Sequence, residues 1–154
     1  MNSTVADAIQ KHGSSREALM PVLQFIVQKD NWLREEVMVE VADAFGISAA
    51  EVYGVASFYS FLDVEPRGRY IIRLCRTIAC DMAGKGAVLS SIRNELKVGS
   101  GETTPDGMFT LLETNCIGWC HKGPAMLIND DVFTELTPER AVSIIQEYRE
   151  KTQQ

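Results

Sequence analysis

Tyr70-Ile-Ile-Arg-Leu-Cys75-Arg-Thr-Ile-Ala-Cys80 is the stretch at which the chain changes period. Before it, apolar residues recur at three- and four-residue intervals. Across Tyr70, Ile72 and Leu74 they recur at two, which predicts a strand with those three residues on one face. The strand delivers Cys75 at its end, where α/β folds commonly place their sites. Cys80 completes a C-x4-C pair, and Cys116-Ile-Gly-Trp-Cys120 supplies a C-x3-C pair, so two short loops hold all four cysteines. Residues 81–115 between them leave room for an element that folds back and brings the loops together. Four thiolates, divided two per iron, are the donor set of a [2Fe-2S] centre. Cys75, Cys80, Cys116 and Cys120 are therefore the candidate ligands.

On the C-terminal side, residues 85–96 fit a helix with Val88, Leu89, Ile92 and Leu96 inward. Thr104-Pro-Asp-Gly107 predicts a turn, because Pro presets one dihedral and Gly accepts positive φ. Residues 108–112 read as a strand leading towards Cys116. Residues 125–128 and 132–134 form a hairpin around Asn129-Asp-Asp131. Thr137 and Pro138 suit the N-cap and first position of a last helix, with Ala141, Ile144, Ile145 and Tyr148 on its apolar face.

On the N-terminal side, residues 5–12 read as a helix ended by Gly13. Ser14 and Glu17 have the spacing of a capping box. The helix after them turns Leu19, Val22, Leu23, Ile26 and Val27 inward, with a kink or delayed start at Pro21. Residues 34–45 carry the stripe Val37, Met38, Val41, Ala42 and Phe45. Ser48 and Glu51 repeat the box and open a helix to about residue 58. Short helices are marginal in water alone, so these four should pack on one another. The expected fold is α+β, with a helical bundle over 1–62 and an α/β domain over 63–154. In the second domain a small sheet follows the order β-α-β-β-β-α, and residues 62–69 are the connector.

Other readings compete for the cysteines. Zinc sites use Cys pairs two to four residues apart, so spacing alone leaves a structural zinc-binding interaction module open. The ample apolar faces weigh against a domain stapled by zinc for want of a core. A dithiol enzyme would use C-x-x-C. His121 follows Cys120 directly and is read as a non-ligand. Gly84, Gly86, Gly118 and Gly123 would let backbone approach sulfur, or would simply make turns. Arg76, between two candidate ligands, would either raise a cluster's potential or point into solvent. Trp119 is read as packing. Gly99-Ser-Gly101 lacks the third glycine and the strand-to-helix context of a dinucleotide fingerprint. No Ser-His-Asp set or carboxylate pair points to catalysis by this chain alone.

The chain has 154 residues, is 45% apolar and carries a net charge of −6. That charge and the scattered Lys and Arg argue against nucleic acid, whose phosphates must be neutralised. No apolar run reaches the roughly 18 residues of a membrane span. The first 15 residues lack the basic and apolar regions of a secretory signal. The expected location is the cytoplasm, free or on the cytoplasmic side of a membrane complex. Thiols there stay reduced, which disfavours disulfides.

At these residues the sequence resembles the E subunit of NADH-quinone oxidoreductase (respiratory complex I). The family it resembles includes the matching subunits of NAD(P)-linked hydrogenases, electron-bifurcating ones among them, and of NAD-dependent formate dehydrogenases. The resemblance runs from about Arg16 to Tyr148. It is carried by Leu19-Met-Pro-Val-Leu23, Val52-Tyr-Gly-Val-Ala-Ser-Phe-Tyr59, Pro66-Arg-Gly-Arg-Tyr70, Thr103-Thr-Pro-Asp-Gly-Met-Phe-Thr110 and Cys116-Ile-Gly-Trp-Cys120. The resemblance implies a thioredoxin-like ferredoxin domain with a small mixed sheet after a helical bundle. It implies one [2Fe-2S] cluster on Cys75, Cys80, Cys116 and Cys120. It also implies a partner flavoprotein that binds FMN and NAD(H), further iron–sulfur subunits, and N-terminal helices that help to grip the partner. Arg76 stands where the family commonly has a small residue, and His121-Lys122 where an acidic one is frequent.

Overall fold

The first helix starts at a cap that the hydrophobic pattern does not mark. In the computed structural model, which describes Met1–Gln154 throughout, α1 (Ser3–His12) follows Asn2, whose side chain accepts the Thr4 N–H. Gly13 ends it at φ 85°. The box at Ser14 and Glu17 does not open the next helix. A 3-10 turn over Arg16–Ala18 follows Ser15 instead, and α2 (Leu19–Asp30) starts after it. The reason is Pro21: inside a helix begun at Ser14 it would break an intrahelical bond, whereas in the first turn its missing N–H leaves none unmade. The start is thus delayed.

The next helix, α3 (Glu35–Phe45), ends at Gly46 in the left-handed region, φ 64°. It leads to α4 (Ala49–Phe58), where the Ser48 side chain accepts the Glu51 N–H. The reciprocal half of that box is absent, because the Glu51 carboxylate pairs with Arg16. The buried stripes of the four helices form one core, centred on Leu23, Ile26, Val41 and Val52. The chain divides into two compact units, Met1–Arg67 and Gly68–Gln154. Residues 63–67 stay with the helices: the Leu33 N–H donates to the Asp63 carbonyl at 2.7 Å, and Arg67 Nε pairs with the buried Asp63 carboxylate at 2.8 Å.

The second unit is built on β1 (Tyr70–Cys75). It pairs in parallel with β2 (Phe109–Thr114) and, on its other edge, antiparallel with β3 (Met126–Ile128). Beyond β3 lies β4 (Asp131–Phe133), giving a four-stranded mixed sheet in the order β2-β1-β3-β4. Tyr70, Ile72 and Leu74 share one face of β1, as the period of two predicts, and pack in one core. Ile71, Arg73 and Cys75, on the other face, are buried too. β2 runs to Thr114 because its ladder continues to the last rung, Cys75 against Thr114.

Between β1 and β2 lie a short helix, α5 (Ile78–Met82), and the crossover α6 (Lys85–Leu96). The last helix, α7 (Pro138–Gln153), is capped by Thr137, whose hydroxyl accepts the Arg140 N–H at 3.1 Å. The expected inward faces of α6 and α7 join Ile72, Leu74, Phe109 and Leu111 in one core.

The Thr104–Gly107 turn forms as expected, with Gly107 at φ 70°. The Thr104 hydroxyl and the Met108 N–H both donate to Asp106 and hold its carboxyl below the usual range. A depressed folded-state pKa contributes stability above the unfolded value, about 4, and that contribution is lost as pH falls through the folded value. Thermal unfolding followed between pH 6 and 2 should therefore show Asp106→Asn losing less of its midpoint on acidification than the parent. Parallel curves would refute this.

Candidate metal centre

The sheet delivers both cysteine loops to the same end. Cys75 closes β1, with its N–H on the Ala125 carbonyl at 3.0 Å. The next N–H, of Arg76, donates to Thr114 at 2.9 Å, which fixes the first loop against the strand that leads into the second. The chain then turns at Thr77 into α5, which carries Cys80 inward. On the other side, Cys116 lies just past β2 and Cys120 opens a 3-10 turn over Cys120–Lys122. Cys116 Sγ and Cys120 Sγ are 3.1 Å apart. All four thiols are free.

Hydrogen bonds join the loops. The Ile117 N–H, from the second loop, points to Cys75, and the Ala125 N–H points to Cys80. The Gly118 N–H donates to Cys116 Sγ at 3.3 Å, from a backbone at φ 89° that glycine adopts freely. Gly123 passes so close that a Cβ on it would lie 3.2 Å from Cys80 Sγ. Of the four glycines singled out in the sequence, these two approach sulfur. Gly84, at φ 102°, shapes the turn into α6, and Gly86 faces open space.

The thiols sense one another electrically. Burial pushes the Cys75 thiol up, but the Thr77 hydroxyl and N–H, the Cys80 thiol and the Ile117 N–H together outweigh it, and the thiol lies below its ordinary value. Cys80 is raised by burial, against the Ala125 N–H, with the Cys75 thiol and the charges of Cys75 and Cys120 adding to the rise. Cys120 is raised by its hydrogen bond to Cys116, by the charge on Cys116, by burial and by the charge on Cys75. Removing a proton from one sulfur thus raises the demand on the next, which is the situation a cation relieves.

The sulfurs form a buried pair, Cys75 with Cys80, and an exposed pair, Cys116 with Cys120. No three His, Cys, Asp or Glu side chains converge as ligands of one metal ion. Two sulfur pairs with backbone N–H groups aimed at them are a donor set that could hold the two irons of a [2Fe-2S] centre, two thiolates to each. The other singled-out residues stand outside this set. Arg76 is exposed, and Trp119, 37% exposed, stacks on His121 with ring centroids 5.8 Å apart. The sequence reading missed Thr77, whose Oγ1 lies 3.0 Å from Cys75 Sγ. A hydroxyl two residues after the first cysteine was the available signal.

The family model for thioredoxin-like [2Fe-2S] ferredoxins matches residues 5–149. The chain belongs to that family. Among curated relatives of this ferredoxin chain, NADH-quinone oxidoreductase subunit 2 of Thermus thermophilus is 38% identical over 78% of the chain and 66% of its own length. The E subunit of the NADH-quinone oxidoreductase of Escherichia coli is 37% identical over 87% of the chain and 81% of its own length. Its counterpart in Pseudomonas aeruginosa is 33% identical over 95% and 88%. Among solved structures, an NAD+-reducing [NiFe]-hydrogenase in the air-oxidized state superposes with a TM-score of 0.77 at 25% identity. That match covers 86% of the ferredoxin chain and 23% of the hydrogenase chain. The ferredoxin chain thus spans just under two thirds of the Thermus relative and under a quarter of the hydrogenase chain. No helix in it is long and apolar enough to cross a membrane.

Proposed function

We propose that this chain is a one-electron station in a multisubunit NAD(P)H-linked oxidoreductase. Cys75, Cys80, Cys116 and Cys120 hold one [2Fe-2S] cluster, which exchanges single electrons with the FMN of a partner flavoprotein that also binds NAD(H). Further iron–sulfur subunits belong to the same complex. The observation that carries this reading is that two sulfur pairs from loops distant in sequence lie at the same end of the sheet, just past the paired ends of β1 and β2, with backbone N–H donors directed at sulfur. When bound, the cluster supplies a one-electron couple, which lets a flavin pass on singly the two electrons it takes up as a hydride.

The chain's own residues do the rest. Cys75 and Cys80 are buried against Ala125, with partly buried Ile117 packed on them, which keeps water from the inner sulfurs. Cys116 and Cys120 face outward and form the edge through which a partner's electron arrives. The Ile117, Gly118 and Ala125 N–H groups are fixed donors that favour the negative charge added on reduction.

Anaerobic purification tests the reading. The expected product is red-brown, contains iron and acid-labile sulfide, and gives an EPR signal after dithionite reduction. A colourless protein with one zinc per chain would replace the proposal with the structural zinc module. Copurification from the native host with a flavin-containing protein tests the partner.

A further inference from the structure

A threonine at a helix N-cap normally gives its hydroxyl oxygen to a free N–H of the first turn. Thr77 caps α5 with extended backbone, φ −73° and ψ 162°, yet its side chain makes no such bond. Its Oγ1 instead lies 3.0 Å from Cys75 Sγ. The geometry diverts a capping group from the helix to a sulfur. A metal-bound thiolate carries no proton, so in the loaded protein the hydroxyl must donate and the sulfur accept. Cys75 is 1% exposed, which shields this bond from competing water.

On the reading of Cys75 as a cluster ligand, we propose that Thr77 is a positioning residue that sets the cluster's reduction potential through the bond from its hydroxyl to Cys75 Sγ. The reduced centre carries one more negative charge than the oxidised one, so a donor to its sulfur favours the reduced form and raises the potential. No covalent bond changes: one electron enters from the redox partner, and the hydroxyl keeps its proton. The neighbouring Arg76 is the competing explanation for any tuning at this loop. It carries a full charge, but its side chain is exposed, where water and salt screen it. A shielded neutral donor in contact with sulfur outweighs it.

The test is a redox titration followed by EPR on the full chain, comparing parent, Thr77→Val, Thr77→Ser and Arg76→Thr. Valine keeps the shape and deletes the hydroxyl, and serine restores the hydroxyl. At the parent's midpoint, Thr77→Val should lower the ratio of reduced to oxidised cluster by about three- to tenfold, tenfold being roughly 59 mV for one electron. Thr77→Ser should return it towards the parent, and Arg76→Thr should move it less than valine does. A valine variant with the parent's potential overturns the inference and leaves the proposed function standing. A parent without iron and sulfide overturns the proposed function itself. Should valine fail to load, Thr77→Ala deletes the same hydroxyl without added bulk, and an unchanged potential there is equally fatal. If neither loads while serine does, the residue serves assembly and not potential, which also refutes the proposal.

Discussion

Replacing Cys80 with alanine is expected to abolish the visible absorption and the reduced-state EPR signal while leaving a folded chain. Cys80 sits on the inner side of the site, 1% exposed, and Gly123 and Ala83 close in around it. Its loss leaves one sulfur where an iron needs two from the protein. The fold should survive because the cysteines contribute little to the main core. Cys75, Cys80 and Ala125 form a small apolar cluster of their own, apart from the one built by the sheet with α6 and α7. Truncating a thiol there removes about 1 kcal/mol of transfer free energy, or roughly 4–8 °C of midpoint in a unit of this size. Zinc fingers behave differently: they lack such a core and unfold without metal. Cys116→Ala should lose the EPR signal equally but shift the midpoint less, since Cys116 is exposed. Far-UV circular dichroism and thermal unfolding beside EPR check both. A Cys80→Ala chain that is unfolded, or that keeps the signal, would contradict this account.

What the sequence made legible follows from how local each signal is. The inward faces of α6 and α7 repeat at helical spacing within one segment, and they are the buried faces. The caps at Ser48 and Thr137 are equally local. The opening at Ser14 read wrongly because two local rules conflict there, and the constraint at Pro21 overrides the optional bond of a capping box. The short helix α5 left no pattern: Ile78 and Met82 are exposed, and only Cys80 is buried. Its place is set by the sulfur site and not by an apolar stripe. At the site itself, spacing brought out the four cysteines. Sequence could not separate Gly118 and Gly123, which touch sulfur, from Gly84 and Gly86, which do not. Nor could it show that the Thr77 hydroxyl turns away from its helix. Those distinctions depend on which loop lies opposite, and that is decided by the sheet.

Gly68→Ala is expected to destabilise the second unit by about 1–3 kcal/mol through overpacking. Each kcal/mol lowers the midpoint of a domain this small by roughly 4–8 °C. In the sequence Gly68 reads as one glycine of a connector. In the fold it is the point where the chain closes onto the sheet. An added Cβ would lie 3.0 Å from the Gly107 oxygen, the Met108 carbonyl carbon and the Phe109 carbonyl carbon. These are backbone atoms, so no side-chain rotation relieves the clash. Neither strand can step aside freely, because the same short stretch is zipped to its neighbour. The Gly68 N–H donates to the buried Thr110 hydroxyl at 2.7 Å, the Arg69 N–H to Gly107 at 3.0 Å and the Tyr70 N–H to Met108 at 2.7 Å. Accommodating the methyl means loosening these bonds at the start of the β1–β2 ladder. Gly13→Ala is the comparison: it meets open space and is strained only by its φ of 85°, so it should cost about 1 kcal/mol, in the helical unit. The ladder runs from Tyr70 against Phe109 to Cys75 against Thr114, so the clash enters at the end away from the sulfurs. Below its lowered midpoint the Gly68→Ala chain should therefore still load the cluster with the parent's potential. A Gly68→Ala chain that melts with the parent would show that the strands give way at this point.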